Sequence, residues 1–335
     1  MCASVCNKVW IVVLLSFAFH ACGSKEEAVR LPHSKGLPSE LLVITDKTVS
    51  QSDLMDSVNA MTGESVPEIM QPEPMFKVVR VSEQNYTQRF MTMHTKLLVH
   101  LDGKLIKPMM GVSRDVYAVP QTEVTVAAPD LDGLRQFLSR YKQDIVDVLL
   151  DAQLQMRVAG LRRHHNDYVY KVAVEHMGYS ICVPKEVRAV KKGQRFLWAG
   201  SNLQERDMNA VLYEYPWDGS GLENMERFVC MRDSVMKVNI PGDKPGQWMC
   251  TSRIDGIPVI LNRKRRIDGR DYEVVRGMWD VRNAPIGGPF VSMLTIDTVR
   301  RVVLAAEGFV YSPSTGKRDL VRQMEASLLT IKKQR

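Results

Sequence analysis

The stretch PDLDGLRQFLSRYKQDIVDVLLDAQLQMRVAG, residues 129–160, decides how the rest of the chain is read. Leu131, Leu134, Leu138, Tyr141, Ile145, Val148, Ala152, Met156 and Ala159 recur at spacings of three and four, the period of an amphipathic α-helix. Pro129-Asp130 opens the element and Gly160 stops it. Such a helix lays one apolar stripe against a sheet or a partner helix. A coiled-coil dimer is the alternative, but sustained charge pairing beside the stripe is missing, which favours a core helix.

Upstream, Leu41-Leu42-Val43-Ile44 reads as a short apolar strand, and Gln51 to Met61 has helical spacing after Ser50 or Ser52 as a cap. Pro67, Pro72 and Pro74 force an extended connection into strands at 76–81 and 96–101. Residues 116–128 follow as two strands, or as one bent at Pro120. Downstream comes a polar hinge, Arg162-Arg163-His164-His165-Asn166-Asp167. Adjacent histidines on a helix or strand do not point the same way, so a solvated helix end is favoured over a metal site. His94 and His100 are too isolated to add ligands.

The second half continues with strands at 196–198 and 209–215. Leu222, Met225, Phe228, Val229, Val235 and Met236 form the stripe of a helix ended by Pro241-Gly242. Strands at 248–249, 272–275, 291–296 and 301–311 lead to a closing helix carrying Leu320, Val321, Met324, Leu328 and Ile331. The pattern predicts an α+β protein of two domains, 39–165 and 166–335, with mainly antiparallel sheets each packed by long amphipathic helices. Asp56-Ser57-Val58 recurs as Asp233-Ser234-Val235, and Ala127-Ala128 as Ala305-Ala306, at nearly one separation. That raises an ancient duplication of one α+β unit, with chance coincidence as its rival.

Lys8 precedes an apolar run from Val9 to Phe19, broken only by Ser16, and Phe19-His20-Ala21 leads to Cys22. The run is shorter than the roughly 20 residues that span a bilayer, so residues 1–21 read as a cleaved signal peptide. A small residue and then cysteine is similar to a bacterial lipobox, with Phe19 where Leu is usual. Cys22 is the expected lipidation site, and residues 22–38, with Pro32, Gly36 and Pro38, read as a flexible tether. Removal of the signal still leaves more chain than one ordinary core of about 100–200 residues, hence the two domains.

A content of 45% hydrophobic and 25% charged residues excludes a disordered chain. The net charge of +7 is dispersed, apart from Arg263-Lys264-Arg265-Arg266 and the tail Lys332-Lys333-Gln334-Arg335. An exported lipoprotein meets little nucleic acid, so these runs read as a solvated hairpin and a frayed helix end, and no nucleic-acid partner is expected. Cys182, Cys230 and Cys250 remain after processing, which allows at most one disulfide. Cys230 and Cys250 are nearest in sequence, but nothing fixes a pairing. With no local histidine or cationic pattern to lower a thiol pKa, buried and inert cysteines are favoured.

The aromatic-rich second half supplies the candidate site. Arg276, Trp279, Gly287, Gly288, Phe290, Phe309 and Arg318 are read as a ligand groove, with glycines for close approach, aromatics for the floor and arginines for charge. The rival reading places the aromatics in the core and the glycines as strand punctuation. No nucleophile elbow, phosphate loop or His-Glu-x-x-His string is present, so no catalytic residue, cofactor or metal is assigned.

Tyr213-Glu214-Tyr215-Pro216-Trp217, Arg232-Asp233-Ser234, Arg276-Gly277-Met278-Trp279, Gly287-Gly288-Pro289-Phe290 and Glu307-Gly308-Phe309-Val310-Tyr311, together with the lipobox, resemble a family of uncharacterised outer-membrane lipoproteins of Bacteroidetes-type bacteria. The resemblance covers most of the chain after the signal and is strongest from about Phe196 to Glu325. It implies a lipid anchor, a domain of unknown function and no assigned catalytic residues. It also implies that Lys25-Glu26-Glu27 is a surface-export signal, with an ordinary charged tether on the periplasmic face as the alternative. Asp56-Ser57-Val58, Asp233-Ser234-Val235 and Asp297-Thr298-Val299 are similar to the short O-glycosylation pattern of those organisms. The expected function is a lipid-anchored, non-catalytic binding or envelope-assembly module with a membrane partner through the lipid and a protein or glycan partner. The rival is a hydrolase of envelope or glycan substrates.

Overall fold

A computed structural model describes residues 30–67, 69–267 and 269–334. The signal segment, Cys22 and Lys25-Glu26-Glu27 lie outside the described residues. The first sheet grows from strand β1 (Glu40–Thr45), whose Leu41, Leu42, Val43 and Ile44 are all buried. A run apolar on both faces suits a parallel strand covered on both sides. β1 leads through α1 (Lys47–Ser50) and α2 (Leu54–Thr62) to β2 (Lys77–Ser82), then through α3 (Gln88–Met91) to β3 (Thr95–Leu101). β4 (Met109–Arg114) and β5 (Thr122–Ala128) complete the order β2-β1-β3-β5-β4. β1 pairs in parallel with β2 and β3, and β3 with β5; only β4 runs antiparallel. The expected antiparallel sheet is therefore corrected in the first half. Asp46 ties its parts together, capping α1 at Val49 N and accepting Leu101 N–H, both at 2.7 Å.

The decisive helix is α4 (Leu131–Arg163), capped by the Asp130 carboxylate at Gly133 N. Leu134, Leu138, Ile145, Val146 and Leu149 pack on the first sheet and α2. The helix leaves ideal dihedrals at Tyr141 (φ −109°, ψ 16°), and its buried face then shifts to Gln153, Leu154, Arg157, Val158 and Leu161. Of the predicted stripe, Leu131, Tyr141, Val148, Met156 and Ala159 are only partly buried. The stripe drifts because one helix serves two cores: Leu154, Val158 and Leu161 belong to the second.

That second core surrounds a fully antiparallel sheet. After α5 (Asp167–Met177), capped by Asn166, come β6 (Tyr179–Ser180), β7 (Ala189–Gly193), β8 (Phe196–Gly200), β9 (Asp207–Pro216) and α6 (Met225–Asn239). β10 (Met249–Thr251), β11 (Arg253–Ile254), β12 (Ile257–Pro258), β13 (Ile260–Ile267), β14 (Arg270–Val281), β15 (Ala284–Asp297), β16 (Val302–Tyr311), α7 (Arg318–Leu328) and β17 (Lys332–Lys333) follow. The order is β10-β14-β15-β16-β9-β8-β7, with β13 beside β14. Alternate residues of β16 face opposite layers, as strand geometry requires. Leu304, Ala306 and Val310 meet α5, α7 and the end of α4, while Val303, Ala305 and Phe309 meet α6.

The two halves do not repeat one topology. Ala127-Ala128 ends β5, whereas Ala305-Ala306 lies inside β16. Nor do they stand apart, since Leu31–Arg335 is one compact unit. The seam is polar. Arg157 donates to Asp319 Oδ1 at 2.8 Å and Ser39 Oγ at 3.2 Å, while Arg322 donates to Gln153 Oε1 at 3.1 Å. Glu73 accepts the backbone N–H groups of Lys317 and Arg318 at the start of α7, where a carboxylate suits the helix dipole. The basic run is not simply solvated: Arg263 and Arg265, which share one face of β13, pair with Asp147 and Asp151 of α4. The tail forms β17 on β6 instead of a frayed helix end, and Lys333 reaches Asp297 at 2.6 Å.

Candidate functional site

The groove expected from the sequence does not form. Trp279 and Phe309 are 5% exposed and Phe290 is fully buried, all in the core under α6. Trp279 Nε1 donates to Val310 O at 3.3 Å. The glycines permit close backbone approach: a Cβ on Gly288 would sit 2.1 Å from Val310 O, and one on Gly287 2.6 Å from Trp279 O. Arg318 lies away at the seam, donating to Pro74 O at 2.6 Å, and Arg276 pairs with Glu325 of α7. Aromatics beside glycines marked a tightly packed core, because large rings fill the space that bare backbone leaves.

The chemistry collects on the other side of α6, at the β10 edge of the sheet. Arg232 and Met236 turn inward from α6, whereas Asp233 and Lys237, one helical turn apart, flank a cleft of ≈460 Å³. Ser234, Trp248, Cys250, Thr251, Arg253, Asp280 and Arg282 complete its lining. Lys237 Nζ lies 4.6 Å and Arg282 Cζ 4.8 Å from the Trp248 ring centroid, both within cation–π range. Asp233 is fixed from below. Its Oδ1 accepts both the N–H and the hydroxyl of Thr251 at 2.7 Å, and Arg232 Nη1 lies 3.5 Å away.

Arg232 is itself locked in the core. Its Nε and Nη2 donate to Glu307 at 2.8 and 2.7 Å, and its guanidinium sits 4.1 Å over Phe290. Burial works against the charged form, but Glu307 outweighs it and raises the guanidinium above its usual range. Ser292 donates to the same carboxylate at 2.7 Å. A rigid buried network therefore positions one wall of an open cleft.

The cleft holds a thiol but no activated nucleophile. Cys250 Sγ donates to Asp280 Oδ1 at 2.9 Å, and burial, then that carboxylate, pushes the thiol up to about 12. Ser234 Oγ donates back to Cys230 O, the usual bond of a mid-helix serine. Among the described residues no group of three or more His, Cys, Asp or Glu side chains could hold a metal ion. Cys182, Cys230 and Cys250 are all free. Cys230 is exposed, contrary to the expectation of three buried thiols, whereas Cys182 is buried and its pKa is raised by that burial. In the folded protein a maleimide is expected to label Cys230 at least about tenfold faster than Cys182 or Cys250, as followed by mass spectrometry. Equal labelling of Cys250 would sink the protonated-thiol reading.

Sequence reasoning singled out Arg232-Asp233-Ser234 within the family-like strings and read Asp233-Ser234-Val235 as a glycosylation-like pattern, not as part of a cleft, and placed Trp248 only in a short strand. Lys237, Arg253, Asp280 and Arg282 carried no local pattern. They meet only because β10 pairs with the end of β14, setting Cys250 opposite Asp280.

Comparison with known proteins places a family boundary close to the seam. Residues 167–330 match the family model described as Domain of unknown function (DUF4837), and residues 34–161 match Domain of unknown function (DUF8532). The chain thus carries two domains of unknown function, consistent with an uncharacterised family. No curated protein sequence matches it. Among solved structures, it is similar to the 1.9 Å crystal structure of the Saccharomyces cerevisiae Ran-binding protein Mog1p, at 7% identity and a TM-score of 0.31. That likeness covers 47% of this chain and 90% of the yeast chain, and is too loose to carry an argument.

Proposed function

We propose that the chain is a lipid-anchored envelope protein of the Bacteroidetes lipoprotein type, held to the outer membrane through Cys22 and displayed at the surface. Its second half acts as a non-catalytic binding module for a protein or glycan partner. The observation that carries the binding reading is the open cleft around Trp248, where charge is held in fixed positions and no nucleophile is activated. A shallow site lined by tryptophan and arginine suits recognition more than turnover. The anchor reading rests on the lipobox-like segment. More than one acyl chain on a cysteine gives stable attachment without a spanning helix, and among the described residues no helix is long and apolar enough to cross a membrane.

One observation favours the rival hydrolase: Asp233 and Asp280 line the same cleft. The two are separated by incubating the full chain with purified envelope polysaccharide and measuring both retention and product release. Retention without product supports the binding module; product that disappears in Asp280→Asn establishes the hydrolase. In the native bacterium, Cys22→Ala is expected to move the protein from the membrane pellet to the soluble fraction. Persistence in the pellet would overturn the anchor.

A further inference from the structure

The charges in the cleft are unequal in kind. Lys237 and Arg282 are both exposed and both lie over Trp248, and among the described residues neither has a carboxylate partner. Two cations held near one ring repel each other, and cation–π attraction at an exposed site is weak. An anionic group in the cleft they both line would offset that repulsion and make charge-assisted hydrogen bonds to them.

The same cleft offers acceptors, Asp233 one turn from Lys237 on α6 and Asp280 two positions before Arg282. Asp233 uses Oδ1 for Thr251, and among the described residues its Oδ2 has only Arg253, at 3.8 Å. Asp280 uses Oδ1 for the Cys250 thiol. A carboxylate accepts about four hydrogen bonds, so each retains capacity directed to donors other than those of the protein. The Thr251–Arg232–Glu307 chain behind Asp233 keeps that acceptor in place before any ligand arrives, which lowers the ordering cost of binding. The ≈460 Å³ volume lies in the range of small-ligand clefts, about 300–1,000 Å³.

We propose that this cleft binds an acidic saccharide, Lys237 and Arg282 clamping its carboxylate, phosphate or sulfate while Asp233 and Asp280 accept from its hydroxyls. The proposal rests on the binding-module reading and names its ligand class. An acidic peptide supplies the anion but not the dense array of hydroxyl donors.

The test titrates the full chain in detergent with oligosaccharides bearing carboxylate (oligogalacturonate), sulfate (heparin fragments) and phosphate (phosphomannan fragments). Neutral galacto-oligosaccharides and oligoglutamate serve as controls. At least one acidic saccharide is expected to bind tenfold or more tightly than the neutral series and oligoglutamate, with affinity falling as salt is added. Lys237→Ala with Arg282→Gln is expected to weaken that binding tenfold or more. Asp280→Asn is expected to weaken it severalfold, with circular dichroism unchanged in every variant because the substituted side chains line the surface. Equal binding of neutral saccharides overturns the proposal while leaving a binding module. Tighter binding of oligoglutamate, insensitive to Asp280→Asn, makes the ligand an acidic peptide. Failure of every acidic saccharide overturns the ligand class, and the retention assay with envelope polysaccharide then judges the binding reading separately.

Discussion

Glu307→Ala is expected to destabilise the protein by about 3–5 kcal/mol, the usual result of stranding one partner of a buried ion pair. Glu307 and Arg232 are both inaccessible to solvent, so loss of the carboxylate leaves a guanidinium in the core with only Thr251, the Phe290 ring and, at 3.5 Å, the partly exposed Asp233 carboxylate for company. Ser292 loses its acceptor as well, and the buried Tyr213 hydroxyl near Glu307 already has no partner among the described residues. Urea denaturation followed by circular dichroism reads the shift in midpoint. Removing both charges together, as Arg232→Met with Glu307→Leu, is expected to recover most of the loss, since paired apolar replacements of buried ion pairs are often neutral or stabilising. Loss of less than about 1 kcal/mol in Glu307→Ala would mean the core accommodates the lone cation by rearrangement. The double variant should also fold yet bind weakly at the cleft, because Asp233 and Thr251 lose the support beneath them.

The second large effect lies at the seam. Burial works against the Asp319 carboxylate, but hydrogen bonds from Ser39 and Arg318 and the charges of Arg318 and Arg157 outweigh it and hold the pKa down to about 2. In the unfolded chain the same group titrates near its ordinary value, about 3.9. The native state therefore binds this proton less readily than the unfolded state, so Asp319 stabilises the fold above about pH 4. That contribution, about 2 kcal/mol, fades as the pH falls from about 4 towards 2. Asp319→Asn is expected to lose about that much at neutral pH and to show a flatter acid limb between pH 5 and 2. Parallel acid limbs in the two proteins would sink the assignment.

These two networks show what could be read in advance. The helix over 129–160 was legible because its stripe is long and regular, and the strands of the second half were legible from alternation. The parallel character of the first sheet was also written, in the unbroken Leu41–Ile44 run, but antiparallel pairing was assumed instead. α5 carries Val169, Val172, Ala173 and Met177 at helical spacing behind an Asn166 cap, and was lost in the polar hinge before it. β4 is an exposed edge strand, Met109–Arg114, without a buried face to impose a pattern. The cleft was illegible for a different reason. Its residues come in small groups from α6, from β10 and the residue before it, from β11 and from the end of β14, and only strand register unites them, whereas the conspicuous aromatic strings advertised the core.

The rotated face of α4 has a bearing on how the chain reaches its final form. Besides Glu40 O and Ser39 Oγ in the first half, Gln153 and Arg157 find partners in Arg322 and Asp319, which lie 169 and 162 positions further along. A chain growing from its N-terminus completes the first sheet long before α7 exists to cover this surface. Had that surface continued as leucine and valine, it would present a bare apolar patch during the interval, open to self-association. Amide and guanidinium groups stay hydrated in the open state, and each has a protein partner once α7 docks. The polar seam thus keeps the half-built protein wetted, at the expense of the extra stability a greasier joint would have given the finished one.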